Sequence, residues 1–165
     1  ADVGFYNVTF NVSDGQYIDE EIVVIEVRDA QLSNLLAVGA PVLGNTVRLI
    51  LSDRTAANQP YVLVLSTETE PPILLPDGRA IGLRPNSVFA TSLFVPTLIG
   101  LRDSVGIFNT LGNALATWTV PNIQELINQN VYLAFVSLDT VQPGMRSIIS
   151  ISPVVMMTIV NATQP

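Results

Sequence analysis

The sequence predicts an all-β fold: an antiparallel β-sandwich of Ig-like or jelly-roll-like Greek-key type, carrying one or two short helical turns. Three observations point there. Apolar runs rich in Val, Ile, Leu and Phe recur along the chain, and Gly, Pro, Asn and Asp divide them. The two runs 131–138 and 154–160 are too long and too uniformly apolar for loops, and Pro143-Gly144 breaks the chain between them. No strand–helix–strand alternation of proper length appears, which argues against a parallel α/β sheet.

Composition sets the class. A chain of 165 residues fits one domain, and 48% apolar residues are ample for one core. The chain holds 14 acidic residues against 7 arginines, with no lysine, histidine or cysteine. A net charge of −7 argues against nucleic acid and against docking on an anionic membrane. No apolar run approaches the ~20 residues of a membrane helix, so no membrane-spanning segment is expected. The sequence opens on Ala1 without a basic leader, as expected for a secreted chain whose signal peptide has been removed. An extracellular or cell-surface location follows as an expectation.

Taken in order, residues 1–13 alternate: Tyr6, Val8, Phe10 and Val12 fall on one face, Asn7, Thr9, Asn11 and Ser13 on the other. Asp14-Gly15 ends this strand, the acidic step Asp19-Glu20-Glu21 follows, and 22–28 reads as a second strand. Residues 29–45 are looser. There Leu32, Leu35 and Leu36 suggest a short helical turn or the cover of a sheet edge. Strands are expected at 47–51 and 61–66. Residues 73–75 and 80–83 flank Pro76-Asp77-Gly78-Arg79 as a hairpin. Residues 86–95 read as one short helix capped by Asn86 or Ser87 and stopped by Pro96. A second hairpin is expected from 105–110 and 114–120 around Leu111-Gly112-Asn113, then one helical turn in 121–128, then the two long runs. The count is about ten strands. Leu63, Val136 and Val155 are the expected core markers, and Gly78 and Gly112 the positive-φ turn positions.

From Pro60 onward the chain reads PYVLVLS, LPDGRAIGL, SVFATSLFVP, GIFNTLGNALATWTVP, VYLAFVSLD and RSIISISPVVMMTIV. This string resembles uncharacterised β-sandwich domains of large secreted and surface proteins of bacteria. Their pattern is a "PY.L..S" strand, a "DGR" hairpin, a "G.....G.A.A...P" hairpin and a closing "SIS....TI" strand. The resemblance covers about residues 39–160. It implies a fold, and no catalytic residue carries over from it. Residues 1–38 fall outside it.

The chemistry open to this chain is narrow. Without His or Cys the usual triads and thiol nucleophiles are excluded, and without Lys so is Schiff-base chemistry. Paired carboxylates remain, from Glu26, Asp29, Asp53, Glu68, Glu70, Asp77, Asp103, Glu125 and Asp139. Most sit beside turn residues, where a carboxylate is simply solvated, so a non-enzymatic chain is expected. Asp14, Asp19, Glu20 and Glu21 are oxygen ligands of the type calcium takes, but no spacing matches an EF-hand loop, and no metal or cofactor is expected. Asn7-Val8-Thr9, Asn11-Val12-Ser13 and Asn161-Ala162-Thr163 match the N-glycosylation sequon. Trp118 is the only tryptophan, and its strand position suits a core or interface better than a sugar platform; Tyr17 is the better candidate for an exposed aromatic.

One feature conflicts with a plain two-sheet sandwich. Residues 61–65, 131–136 and 154–157 are apolar at successive positions, so both faces of these strands need cover. The segments 29–45, 86–101 and 121–128 supply some, and a neighbouring subunit would supply the rest. The expected function is therefore a secreted, non-enzymatic structural subunit of an extracellular fibre or surface assembly, a homo-oligomer or homopolymer. The alternative is an extracellular binding module for a glycan or a cell-surface partner. Residues 1–16 are expected as an N-terminal strand donated to a neighbour, with Tyr6, Val8, Phe10 and Val12 as anchors, and 17–165 as a single sandwich domain. Pairing of that strand within its own domain is the competing expectation.

Overall fold

A computed structural model describes residues 4–13, 18–27, 32–140 and 148–161. The chain divides into two compact units, Ala1–Gln31 and Leu32–Pro165. The first is a hairpin: β1 (Gly4–Ser13) pairs antiparallel with β2 (Ile18–Val27) in a sheet of two strands. The boundary between them falls at Gln31/Leu32.

The second unit is an antiparallel sandwich. Its strands are β3 (Ser33–Val38), β4 (Thr46–Asp53), β5 (Pro60–Ser66), β6 (Ile73–Leu74), β7 (Ala80–Ile81), β8 (Leu101–Arg102), β9 (Val105–Ile107), β10 (Asn113–Thr119), β11 (Asn130–Leu138), β12 (Ile148–Ile151) and β13 (Val155–Thr158). One sheet runs β3-β4-β10-β8. The other runs β12-β11-β5-β9, with β13 also on β11, and β6-β7 form a small hairpin. The two long apolar runs are neighbours, since Val131 pairs with Met157 and Leu133 with Val155.

Alternation builds the main core. On β4, Val47, Leu49 and Leu51 are buried while Thr46, Arg48 and Ile50 are exposed. They meet Leu63 and Leu65 of β5 and Leu133 and Phe135 of β11. Trp118 lies in this core with its indole N–H donating to Ile99 O at 3.0 Å, so it is no sugar platform.

A second, smaller core explains the strands that are apolar on both faces. Val64, Ala134 and Val136 project from the other side of β5 and β11 and pack with Leu75, Ile81 and Leu83 of the β6–β7 region. Helix α1 (Ser87–Phe94) adds Phe89 to it. Asn86 caps the helix, its Oδ1 accepting from Phe89 N–H at 2.9 Å. Short β9 pairs only with residues 60–62 of β5. Beyond it, Leu63 N–H donates to Ser104 O and Leu65 N–H to Ser92 Oγ on α1, so the helix completes a ladder that β9 leaves short.

Three readings of the sequence are corrected. Residues 105–110 and 114–120 do not form a hairpin: β9 belongs to one sheet and β10 to the other. Asn109 turns the chain between them, its Oδ1 accepting from the N–H groups of Leu111 and Asn113. Residues 33–38 form an edge strand, where the sequence suggested a short helical turn or the cover of a sheet edge. Val155 is half-buried, whereas Leu63 and Val136 are buried as expected.

The glycine turns allow a graded test. Gly78 and Gly112 have φ of 87° and 74°. A Cβ at Gly78 would meet open space, whereas one at Gly112 would collide with the Asp53 carbonyl and lie 3.2 Å from Arg54 Cα. Gly78→Ala should therefore lower unfolding free energy by about 1 kcal/mol, from backbone strain alone. Gly112→Ala should lower it by about 2–4 kcal/mol, because overpacking is added to strain. Equal urea midpoints for the two variants would refute this ranking.

Candidate functional site: an open seam between two sheet edges

The two sheets meet along a seam where β3 and β13 are both edge strands. Hydrogen bonds sew the seam at its ends. At one, Ser33 Oγ donates to Ile151 O at 3.0 Å. At the other, Val160 N–H donates to Pro41 O, and Val160 O accepts from Leu43 N–H. Between these ties lies an open groove of about 410 Å³, lined by Leu35, Leu36 and Ala37 on one wall and Val155, Met156 and Met157 on the other.

Register shows which backbone groups face this groove. Arg54 N–H donates to Leu32 O, while Asp53 N–H donates to Gly112 O. Even-numbered residues of β4 therefore bond to β3 and odd-numbered ones to β10. Because partners on β3 and β4 sum to a constant, residues 34, 36 and 38 point into the β4 ladder. Residues 33, 35 and 37 point to the free edge. On β13, Ile159 N–H donates to Gln129 O, so 155 and 157 bond to β11 and 156 and 158 point outward.

The outer face of the β3-β4-β10-β8 sheet continues the groove as an apolar stripe. Leu36 pairs with Ile50, and Ile50 with Leu115, so three exposed aliphatic side chains line up across three strands. Val38 lies beside them, and Met156 is exposed on the opposite wall. The next row reads Val38, Arg48, Thr117 and Arg102. Arg48 and Arg102 are exposed, and the four strands of this sheet contain no carboxylate except Asp53, which is fully buried.

Asp53 fastens one end of the sandwich. Its carboxylate accepts from Thr55 N–H at 3.0 Å, Thr55 Oγ1 at 2.7 Å, Ser137 Oγ at 2.7 Å and Ser150 Oγ. These donors come from its own turn, from β11 and from β12, so one acid ties the two sheets. Burial alone raises its pKa. The hydroxyls of Ser150, Thr55 and Ser137 and the Thr55 amide outweigh that effect and hold the group below its ordinary 3.8.

The residues marked in the sequence fall as follows. Tyr6, Val8, Phe10 and Val12 lie on β1 and pair with Ile25, Val23, Glu21 and Asp19 of β2, within their own chain. Asn7 and Asn11 pair with Val24 and Glu20. Asn161 is exposed just past the Val160 bridge. Asp14, Tyr17 and Asp29 lie outside the described residues, and Glu20, Glu21 and Glu26 are described as backbone on β2. Glu68 pairs with Arg84, and Asp77 with Arg79 at 2.6 Å. Among the described residues no cluster of three acidic groups is placed to hold a metal. Two further clefts flank the 3-10 turn Pro96–Ile99, at about 430 and 400 Å³. Neither brings two carboxylates together, since Asp103 is the sole acid of the first and the second has none.

No protein-family model matches this sequence, and no curated protein matches it. Function is therefore read from the geometry: an apolar groove whose strand edges are unpaired among the described residues, an apolar stripe beside it and two exposed arginines.

The Asp53 node has a pH signature. A depressed carboxylate pKa contributes stability that is present above its unfolded value and lost as pH falls through the folded value. For Asp53 that loss falls below pH 3.8. Asp53→Asn should lower unfolding free energy at pH 7 by about 1–3 kcal/mol, because buried hydroxyls lose a charged acceptor. The deficit relative to wild type should shrink by pH 3. Urea titrations at both pH values measure it, and a deficit that stays constant would refute the charged role.

Proposed function

We propose that this chain is a non-enzymatic structural subunit of an extracellular fibre or surface assembly, joined to its neighbours through strand edges. One observation carries the reading. The outer face of the β12-β11-β5-β9 sheet is covered by α1 and the β6–β7 hairpin, while the outer face of the other sheet carries Leu36, Val38, Ile50 and Leu115 in the open. Aliphatic side chains aligned across three strands gain about 25 cal/mol for each Å² they bury, and association is the usual way to bury such a patch. The free edges of β3 and β13 beside it offer main-chain donors and acceptors to an added strand.

The resemblance of residues 39–160 to sandwich domains of secreted bacterial proteins supports an extracellular setting. The sequons at Asn7, Asn11 and Asn161 are compatible with it. Trp118, buried in the core, offers the binding-module alternative no platform. Carboxylate-dependent hydrolysis finds no paired acids in the described clefts.

The reading predicts concentration-dependent mass. Sedimentation velocity on the full chain should show species above the 17.8 kDa monomer, growing with concentration. Leu36→Lys combined with Leu115→Lys, which charges the stripe without touching the core, should return the chain to monomer. A wild-type chain that stays monomeric at every concentration would refute assembly.

A further inference from the structure

We propose that the free edge of β3 accepts the β1–β2 hairpin of a second copy of this chain, with β2 adding as the fifth strand of the β3-β4-β10-β8 sheet and roofing the seam. This rests on the assembly reading above and names its contact.

Hydrogen-bond chemistry specifies an extended strand. The main-chain groups of Leu35 and Ala37 point away from β4, and those of Met156 and Thr158 point away from β11 across the groove. A side-chain ligand satisfies such a row poorly, whereas a β-strand satisfies it at every second residue. The hairpin has edges to offer, since among the described strands β1 and β2 pair only with each other. A sheet of two strands is marginal by itself in water and gains from joining a larger one.

Polarity selects β2 over β1. A strand beside β3 presents one set of side chains to the groove and the other to the outer stripe, and both environments are apolar. β1 alternates with Asn7, Thr9 and Asn11, whereas β2 carries Ile22-Val23-Val24-Ile25, apolar at four successive positions.

Charge supplies an independent argument. The segment 1–31 holds seven carboxylates (Asp2, Asp14, Asp19, Glu20, Glu21, Glu26, Asp29) against Arg28 alone, a net −6 of the chain's −7. The remaining 134 residues hold seven acids against six arginines, a net −1. In β2 the apolar run is bracketed by Asp19-Glu20-Glu21 and Glu26. The acceptor sheet exposes Arg48 and Arg102, its one acid being the buried Asp53. A strand added to β3 lies about 9–10 Å from β4, a span that an extended arginine and glutamate bridge together. Attraction between an acidic hairpin and a basic sheet face steers the two together. Each copy then offers one hairpin and one acceptor edge, and repeated head-to-tail donation propagates into a fibre.

The test uses two single substitutions in the full chain, read by sedimentation over a concentration series. Ala37→Pro removes an outward N–H from an edge position and leaves the β4 ladder intact. Arg48→Glu reverses an exposed charge. Each should move assembly to at least about tenfold higher concentration with little change in melting temperature. Added salt should weaken wild-type assembly and affect Arg48→Glu less. Because the chain has no cysteine, Leu36→Cys chains mixed with Val24→Cys chains should give a disulfide-linked heterodimer on oxidation. Wild-type assembly that both substitutions leave unchanged overturns the acceptor while sparing the assembly reading. A wild-type chain that never assembles removes both. A Leu36→Cys/Val24→Cys double variant that closes within one chain at high dilution overturns exchange between copies.

Discussion

Strands β5 and β11 are apolar on both faces, and the rest of the sandwich is arranged to keep both faces dry. One face, through Leu63, Leu65, Leu133 and Phe135, meets Leu49, Leu51 and Trp118 of the opposite sheet. The other, through Val64, Ala134 and Val136, needs a second layer, supplied by α1 and the β6–β7 hairpin. That layer also solves a hydrogen-bond problem. Because β9 is only three residues long, Leu65 N–H would be orphaned in the interior, and Ser92 of α1 accepts it. A helix that looks peripheral in chain order is thus required by the central strand.

The same constraint makes the molecule asymmetric. Among the described residues of the second unit, α1 and the β6–β7 hairpin cover one sheet, while Leu36, Ile50 and Leu115 are exposed on the outer face of the other. Where the two sheets meet, the seam is held by a few polar contacts: Ser33 to Ile151, Val160 to Pro41 and Leu43, and Asp53 to Ser137 and Ser150. Pinned ends with an open middle leave a groove whose walls are edge strands. Natural sheets usually blunt such edges with charge, proline or bulges. Leu35, Leu36 and Ala37 carry none of these, which is the physical basis for reading the seam as an interaction site.

Asp53 gives the sandwich its register as well as some stability. A buried carboxylate is tolerated only when its oxygens are satisfied, and here four donors from three segments converge on it. A slip of β12 along β11 would separate Ser150 from Ser137 and strand the charge. The β11–β12 ladder shifts register between Ser137 and Leu138, so the hydroxyls hold the pairing at the point where the ladder weakens.

Much of this was legible in the chain itself. Unbroken apolar runs marked β5 and β11, an Asn before a helical stretch ended by Pro marked α1, and glycine in turn sequences marked the positive-φ corners. These signals are local, so sequence suffices for them. It failed where partners far apart in the chain decide the outcome. Strand β3 read as a looser segment, a helical turn or the cover of a sheet edge, because its outward residues, Leu36 and Val38, are as apolar as its inward ones. β9 and β10 resembled a hairpin because the turn at Asn109 is tight, yet each finds better partners in opposite sheets. Asp53 read as a solvated turn acid because nothing near it in sequence announces Ser137 and Ser150. Alternation, capping and glycine are properties of neighbours along the chain; burial of a charge and exposure of a strand edge are properties of neighbours in space, and only the tertiary structure assigns those.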